Sequence, residues 1–138
     1  MNEAMNEAMN EELASIEATA VAYLTAFNRA DVAHVLATYA DDGVLMGPGL
    51  RASVGKDDLA RIYPDVFQAV GFNMHYEIKE VVQISPDWAF VRSSTEGSET
   101  NKATGVVMHS AYNELFLLRK SATGAWQIAR YCTSRISP

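Results

Sequence analysis

Apolar residues recur at three- and four-residue steps through the first half of the chain and at every other position through the second. Leu13, Ile16, Ala20, Tyr23, Leu24 and Phe27 form one stripe over about five turns, which predicts an amphipathic helix ending near Asn28. Asp31 suits the N-cap of a short second helix with Val32, Val35, Leu36 and Tyr39 inward and Gly43 as its stop. Val44-Leu45-Met46 then reads as a short strand cut off by Gly47-Pro48-Gly49. A third helix starts around Lys56, with Asp57 and Asp58 near its positive end. Pro64 removes a backbone donor, so this helix kinks or restarts with Phe67 and Val70 still inward.

From about Phe72 to Ile136 the period is two. Met74, Tyr76 and Ile78 alternate with His75, Glu77 and Lys79, and Tyr112, Glu114, Phe116 and Leu118 alternate with Ala111, Asn113, Leu115 and Leu117. Ser85-Pro86-Asp87 and Ser121-Ala122-Thr123-Gly124 are turns, and Gly97 to Lys102 reads as a longer polar loop. Helices followed by strands predict an α+β domain, three helices on one side of a strongly bent antiparallel sheet, with a pocket between the layers. The third and fourth long strands are apolar on both faces, so the outer face is expected to be covered by a second copy in a homodimer.

Composition narrows the partners. The chain has 138 residues and a net charge of −6, which disfavours nucleic acid, and no stretch is long and apolar enough to span a membrane. Cys132, the single cysteine, fits a reducing compartment and hence a cytoplasmic protein, and reads as an inert half-buried thiol. The repeat from Met1 to Glu12 is acidic and lacks a secretory apolar core. Residues 1–11 are therefore expected to be a frayed tail on the first helix, and residues 12–138 one domain. No spacing of His, Cys, Asp and Glu reads as a metal site and no glycine-rich phosphate loop follows a strand, so neither metal nor other cofactor is expected.

The run Tyr23 to Asp31, Val32 to Tyr39, Ala40-Asp41-Asp42-Gly43, Gly55 to Leu59 and Gly124-Ala125-Trp126-Gln127-Ile128 resembles the nuclear transport factor 2-like superfamily, which includes ketosteroid isomerases and SnoaL-like polyketide cyclases. The resemblance covers about residues 12 to 136. It implies a cone-shaped barrel of cystatin-like roll type, a deep pocket between helices and sheet, and a homodimer. It also places the isomerases' enolate-binding tyrosine on Tyr23 and their protonated second donor on or near Glu114. Their proton-shuttling aspartate precedes a proline in the first strand, where this chain has Gly47 before Pro48, so the base is missing from that place.

Flanked by Tyr112, Phe116 and Leu118 on its strand face, Glu114 should have a raised pKa and serve as a hydrogen-bond donor or acid. His109 and His75 could move a proton near neutral pH, against a reading as partly exposed strand residues; His34 reads as solvated. Arg130 shares a face with Trp126 and Ile128, so it either reaches Glu114 or extends to the pocket rim, while Asp41 and Asp42 read as a capped turn. The expected catalytic residues are Tyr23, Glu114 and His109, and the expected ligand contacts are Met46, Tyr63, Phe67, Tyr112, Phe116 and Arg130. Inverted strand parity would move the site to His109, Asn113 and Tyr131. Two functions remain: a cofactor-independent isomerase, cyclase or lyase acting on a small apolar or enolisable carbonyl compound, and a non-catalytic dimeric binding or hub-like association domain.

Overall fold

A computed structural model describes residues 2–137; Met1 and Pro138, which the sequence assigns to the tail and to the end of the domain, lie outside the described residues. The order is α1 (Glu3–Asn28), α2 (Val32–Ala37), β1 (Tyr39–Met46), β2 (Ser53–Val54), α3 (Gly55–Ala69), β3 (Val70–Ser85), β4 (Trp88–Asn101), β5 (Val107–Lys120) and β6 (Trp126–Arg135). Six strands form one curved sheet ordered β2-β1-β6-β5-β4-β3, with β2 and β3 as unjoined edges. The helices cover one face, where Ile16, Tyr23, Leu59 and Tyr63 meet Val91, Phe116, Leu118 and Ile128 in a closed apolar core.

Helix α1 buries the expected stripe, and the acidic repeat forms its exposed first turns, capped by the Asn2 side chain accepting from the Met5 amide at 2.9 Å. Its packed part is fixed from Glu12 onward, where one carboxylate oxygen accepts from the Trp126 indole at 2.8 Å and faces the Lys120 ammonium at 2.7 Å. Asp31 caps α2 as expected, accepting from the His34 amide. Pro64 sits inside α3 without ending it, since only one intrahelical bond is forfeited and Tyr63 and Phe67 remain buried on either side.

Several expectations are corrected. Tyr39 begins β1 instead of closing the second helix, and β1 runs parallel to β6, so the sheet is mixed and only β3 to β6 form an antiparallel meander. Gly97 to Lys102 is no loop: β4 continues to Asn101, paired with β3 on one side and β5 on the other. Asp41 and Asp42 lie exposed within β1, where Asp42 pairs with Arg119 instead of capping a turn. Cys132 is exposed, not half-buried.

Candidate functional site

A cavity of about 300 Å³ lies between the helices and the sheet, at the small end of the range for ligand pockets. Its walls are mostly apolar, with Leu24 and Phe27 from α1, Leu45 from β1, Val66 from α3 and Phe72 and Met74 from β3. Two polar groups are set into these walls.

The first is Glu114, 6% exposed. Strand alternation turns Ser110, Tyr112, Glu114, Phe116 and Leu118 of β5 inward, and Glu114 meets the small hydroxyls of β4. Its Oε1 accepts from Ser93 Oγ at 2.8 Å, and Oε2 accepts from the Tyr131 hydroxyl at 3.0 Å and Thr95 Oγ1 at 3.4 Å. Burial raises the Glu114 pKa, only partly opposed by these hydroxyls, because no cation is there to favour the carboxylate. Beside it, Tyr39, Tyr63 and Tyr23 form a hydroxyl chain with both O···O distances 2.6 Å. Burial holds all three phenols well above their ordinary pKa. Tyr23 and Tyr63 line the cavity and Tyr39 lies behind them. Donation in the order Tyr39, Tyr63, Tyr23 leaves the Tyr23 proton for a group in the cavity. The Tyr23 ring lies 4.7 Å from that of Tyr131, so this chain and Glu114 belong to one polar end.

The second group is Glu99, 8% exposed. Its Oε2 accepts from the Tyr112 hydroxyl and from Arg135 Nη2 at 3.3 Å, and Arg135 Nη2 also donates to the Tyr112 oxygen at 2.9 Å. The guanidinium lies 5.2 Å from the Tyr112 ring centroid. Burial and the neighbouring Glu99 carboxylate push the Tyr112 pKa up to about 12.

Of the residues expected at the site, Tyr23, Tyr63, Tyr112 and Glu114 line the cavity. Phe67 and Phe116 are buried in the core behind it, Phe116 stacked on Tyr131 with centroids 4.4 Å apart. Met46 is exposed, because Val44 and Leu45 are the residues β1 buries at that end. His109 is 69% exposed on the outer face beside Glu96, since an odd-numbered residue of β5 points away from Glu114. His75 is also exposed, as is His34, which pairs with Asp31.

Arg130 neither reaches Glu114 nor lines the cavity; it is exposed and donates to the Asp42 carbonyl at 3.1 Å. The cause is a bulge in β6, where Leu117 pairs with Arg130 but Leu118 pairs with Ile128. The extra residue, Ala129, inverts the alternation, so Tyr131, Thr133 and Arg135 face inward. Tyr131 thus joins Glu114 inside, while Asn113 and His109 stay outside. Glu99, Thr95 and Arg135 were not expected at the site. A period-two reading of β4 carried past Gly97 would have found Glu99, but Arg135 becomes visible only once the bulge is known.

Gly47 lines the cavity, so the place where the resemblance expects a base holds no side chain. Among the described residues no group of three or more His, Cys, Asp and Glu is placed to hold a metal, and no helix is long and apolar enough to cross a membrane.

Residues 20–129 match the family model of the SnoaL-like domain. The chain is similar to a ketosteroid isomerase-like protein from Erwinia carotovora atroseptica SCRI1043, with 76% identity and a TM-score of 0.92 over 94% of this chain and 99% of that one. It shares its fold with an NTF2-like protein with a cystatin-like fold from Novosphingobium aromaticivorans, at 13% identity and a TM-score of 0.72 over 97% and 88% of the two chains. A candidate dehydratase of the NTF2-like family from Streptomyces avermitilis gives 14% identity and a TM-score of 0.77 over 94% and 99%. No curated protein matches. A family model spanning most of the chain, and a relative three-quarters identical over nearly all of it, establish that the chain belongs to the SnoaL-like domain family.

Proposed function

We propose that the cavity binds a small, largely apolar carbonyl compound and polarises its oxygen, as a cofactor-independent isomerase, cyclase or lyase does. The observation that carries this is Glu114, a buried carboxyl with a raised pKa, ringed by hydroxyls and without a cation. Burial favours the protonated form of Glu114, a protonated carboxyl is a donor, and donors fixed in an apolar cavity stabilise charge developing on a carbonyl oxygen without reorganising. Tyr23 at the end of its hydroxyl chain supplies a second donor. The ketosteroid isomerase-like name of the 76% identical relative supports the same chemistry.

2-Naphthol, a flat phenol that resembles an enol, is the probe. It should bind with micromolar affinity, and Glu114→Ala and Tyr23→Phe should each weaken binding about tenfold or more, as loss of a buried hydrogen bond that leaves its partner unsatisfied does. No binding, or binding indifferent to both substitutions, would overturn the proposal.

A second reading, a non-catalytic dimeric binding or association domain, is favoured by Gly47 standing where the resemblance expects the base. It is distinguished by naphthol binding without turnover. Under either reading a homodimer is proposed, because Trp88, Val107 and Leu115 lie exposed on the outer face of β4 and β5, Leu115 at 47%. Sedimentation should give twice 15.1 kDa, consistent with roughly 1,200 Å² or more buried in total; a stable monomer would refute it. A cytoplasmic location is part of the proposal, supported by the single cysteine.

A further inference from the structure

Carbonyl polarisation at Glu114 needs a base to remove a proton, and Gly47 provides none. Of the residues lining the cavity only Glu99 and Glu114 carry carboxyls, and the two are held in opposite ways. Glu114 is surrounded by hydroxyls alone, whereas Glu99 faces a guanidinium. Both donors to Glu99 meet the same oxygen, Oε2. Oε1 accepts no hydrogen bond, yet no buried polar side-chain atom among the described residues lacks a partner, so Oε1 keeps accessible surface. The guanidinium fork matches both oxygens of a carboxylate and frequently engages both. Here both donors hold one oxygen, and the other is free of protein hydrogen bonds on a residue that lines the cavity.

Resting on the reading of a carbonyl-polarising cavity, we propose that Glu99 is the general base of this site, and that its substrate is an enolisable ketone or enone whose acidic C–H reaches Oε1 while its oxygen lies at Glu114. The spacing fits. Thr95, which touches Glu114, is four residues from Glu99 on the same face of β4, about 13 Å along the strand at about 3.3 Å per residue. The Tyr112 hydroxyl, from the residue that pairs with Thr95, meets Glu99 Oε2, so the two side chains together bridge that distance. Allowing about 3 Å at each end for the hydrogen bond and the proton transfer, about 7 Å of that backbone spacing remains for the ligand and for the inclination of the two side chains toward each other. A carbonyl oxygen and its γ carbon, joined through a conjugated double bond, lie within that span.

In the step, the C–H bond breaks and Oε1 takes the proton. The bonding pair becomes the C=C of an enol, and the carbonyl π pair moves to the oxygen held by Glu114 and Tyr23. Return of the same proton to the other end of the conjugated system gives the isomer. Glu99 is regenerated, and nothing is oxidised or consumed.

Hydrogen–deuterium exchange of cyclohex-2-enone and 1-indanone in D₂O, followed by proton NMR, tests this. The wild-type protein should accelerate exchange of at least one of them about 10²-fold or more over buffer, and Glu99→Gln should abolish the acceleration while 2-naphthol affinity stays within about threefold of wild type. If Glu99→Gln fails to fold, Glu99→Asp keeps the charge but withdraws the oxygen by one methylene, and should lose about tenfold or more in exchange with naphthol binding retained. Naphthol binding without accelerated exchange, or exchange undiminished in the variant that folds, overturns the role of Glu99 and leaves the binding site standing. Loss of naphthol binding in the wild-type protein would instead sink the reading on which this one rests.

Discussion

Gly97→Ala separates two views of one glycine. By intrinsic preference alone, alanine should stabilise a strand by roughly 0.5–1 kcal/mol. Gly97 has no positive φ that would require glycine. Its constraint is space: a Cβ there would stand 2.2 Å from the Asn73 carbonyl oxygen and 2.8 Å from Met74 Cα, both backbone atoms of β3. No rotamer can relieve a clash with backbone, so β3 and β4 must part by about 1 Å where Met74 pairs with Gly97. Overpacking of that kind costs about 1–3 kcal/mol, and weakening a ladder hydrogen bond or two adds about 1 kcal/mol each. After the alanine preference is subtracted, about 3 kcal/mol remains.

For 138 residues each kcal/mol moves Tm by about 3–4 °C, so Gly97→Ala should melt roughly 10 °C below wild type by circular dichroism. Gly71→Ala is the internal control. It lies in β3, and its Cβ would meet only Lys102 Cε at 3.7 Å and Thr100 Cβ at 3.8 Å, so it should be neutral or slightly stabilising. Because Gly97 lies between Thr95 and Glu99 on β4, the same displacement should weaken 2-naphthol binding. A Gly97→Ala protein melting within about 2 °C of wild type would refute the close-approach argument.

Three further outcomes are expected. Glu114 has a raised pKa in the folded state, so its contribution is fully present below the unfolded-state pKa and lost as pH rises through the folded one; Glu114→Gln cannot titrate, and its stability relative to wild type, from urea midpoints, should improve from pH 4 to pH 8. A gap constant with pH would contradict this. Tyr63→Phe removes the hydroxyl that bridges Tyr23 and Tyr39 and should cost about 1–3 kcal/mol in denaturant titration, whereas Tyr39→Phe, at the end of the chain, should cost less; the reverse order would refute the hydroxyl chain. Deleting residues 2–9 leaves Glu12 and its contacts with Trp126 and Lys120 in place, so Tm should shift by only a degree or two, and a large loss would show that the repeat docks.

The legible parts of the fold are those set by local periodicity. The α1 stripe, the Asp31 cap and the inward parity of Tyr112, Glu114 and Phe116 all follow from side-chain spacing, which a regular helix or strand preserves. What escaped comes from pairing between distant segments. The bulge at Ala129 reverses the faces of Arg130, Tyr131 and Arg135, and nothing in the residues around it marks an extra position. Tyr39 stands at helical spacing from Val35 and Leu36, yet the parallel partner β6, more than eighty residues later, draws it into a strand. Gly97 to Asn101 has the composition of a loop, but hydrogen bonds to strands on both sides outweigh that tendency, and so Glu99 is carried to the cavity wall.

The polar interior is costly enough to require a reason. Apolar side chains at positions 93, 95 and 114 would fill the same space without desolvating a carboxyl, and an isolated polar group in such a core costs a few kcal/mol unless every member is satisfied. Satisfaction is complete at Glu114, where both oxygens have partners, so that cluster alone could be explained as a device that fixes the register of β4, β5 and β6. Glu99 does not fit that explanation. Register would be fixed as well by a two-pronged pair with Arg135, yet both donors meet one oxygen and the other is left without a hydrogen bond. The proposed base would account for the difference between the two carboxyls: one Glu99 oxygen is anchored by Tyr112 and Arg135, and the other would meet the C–H of a ketone in the same cavity.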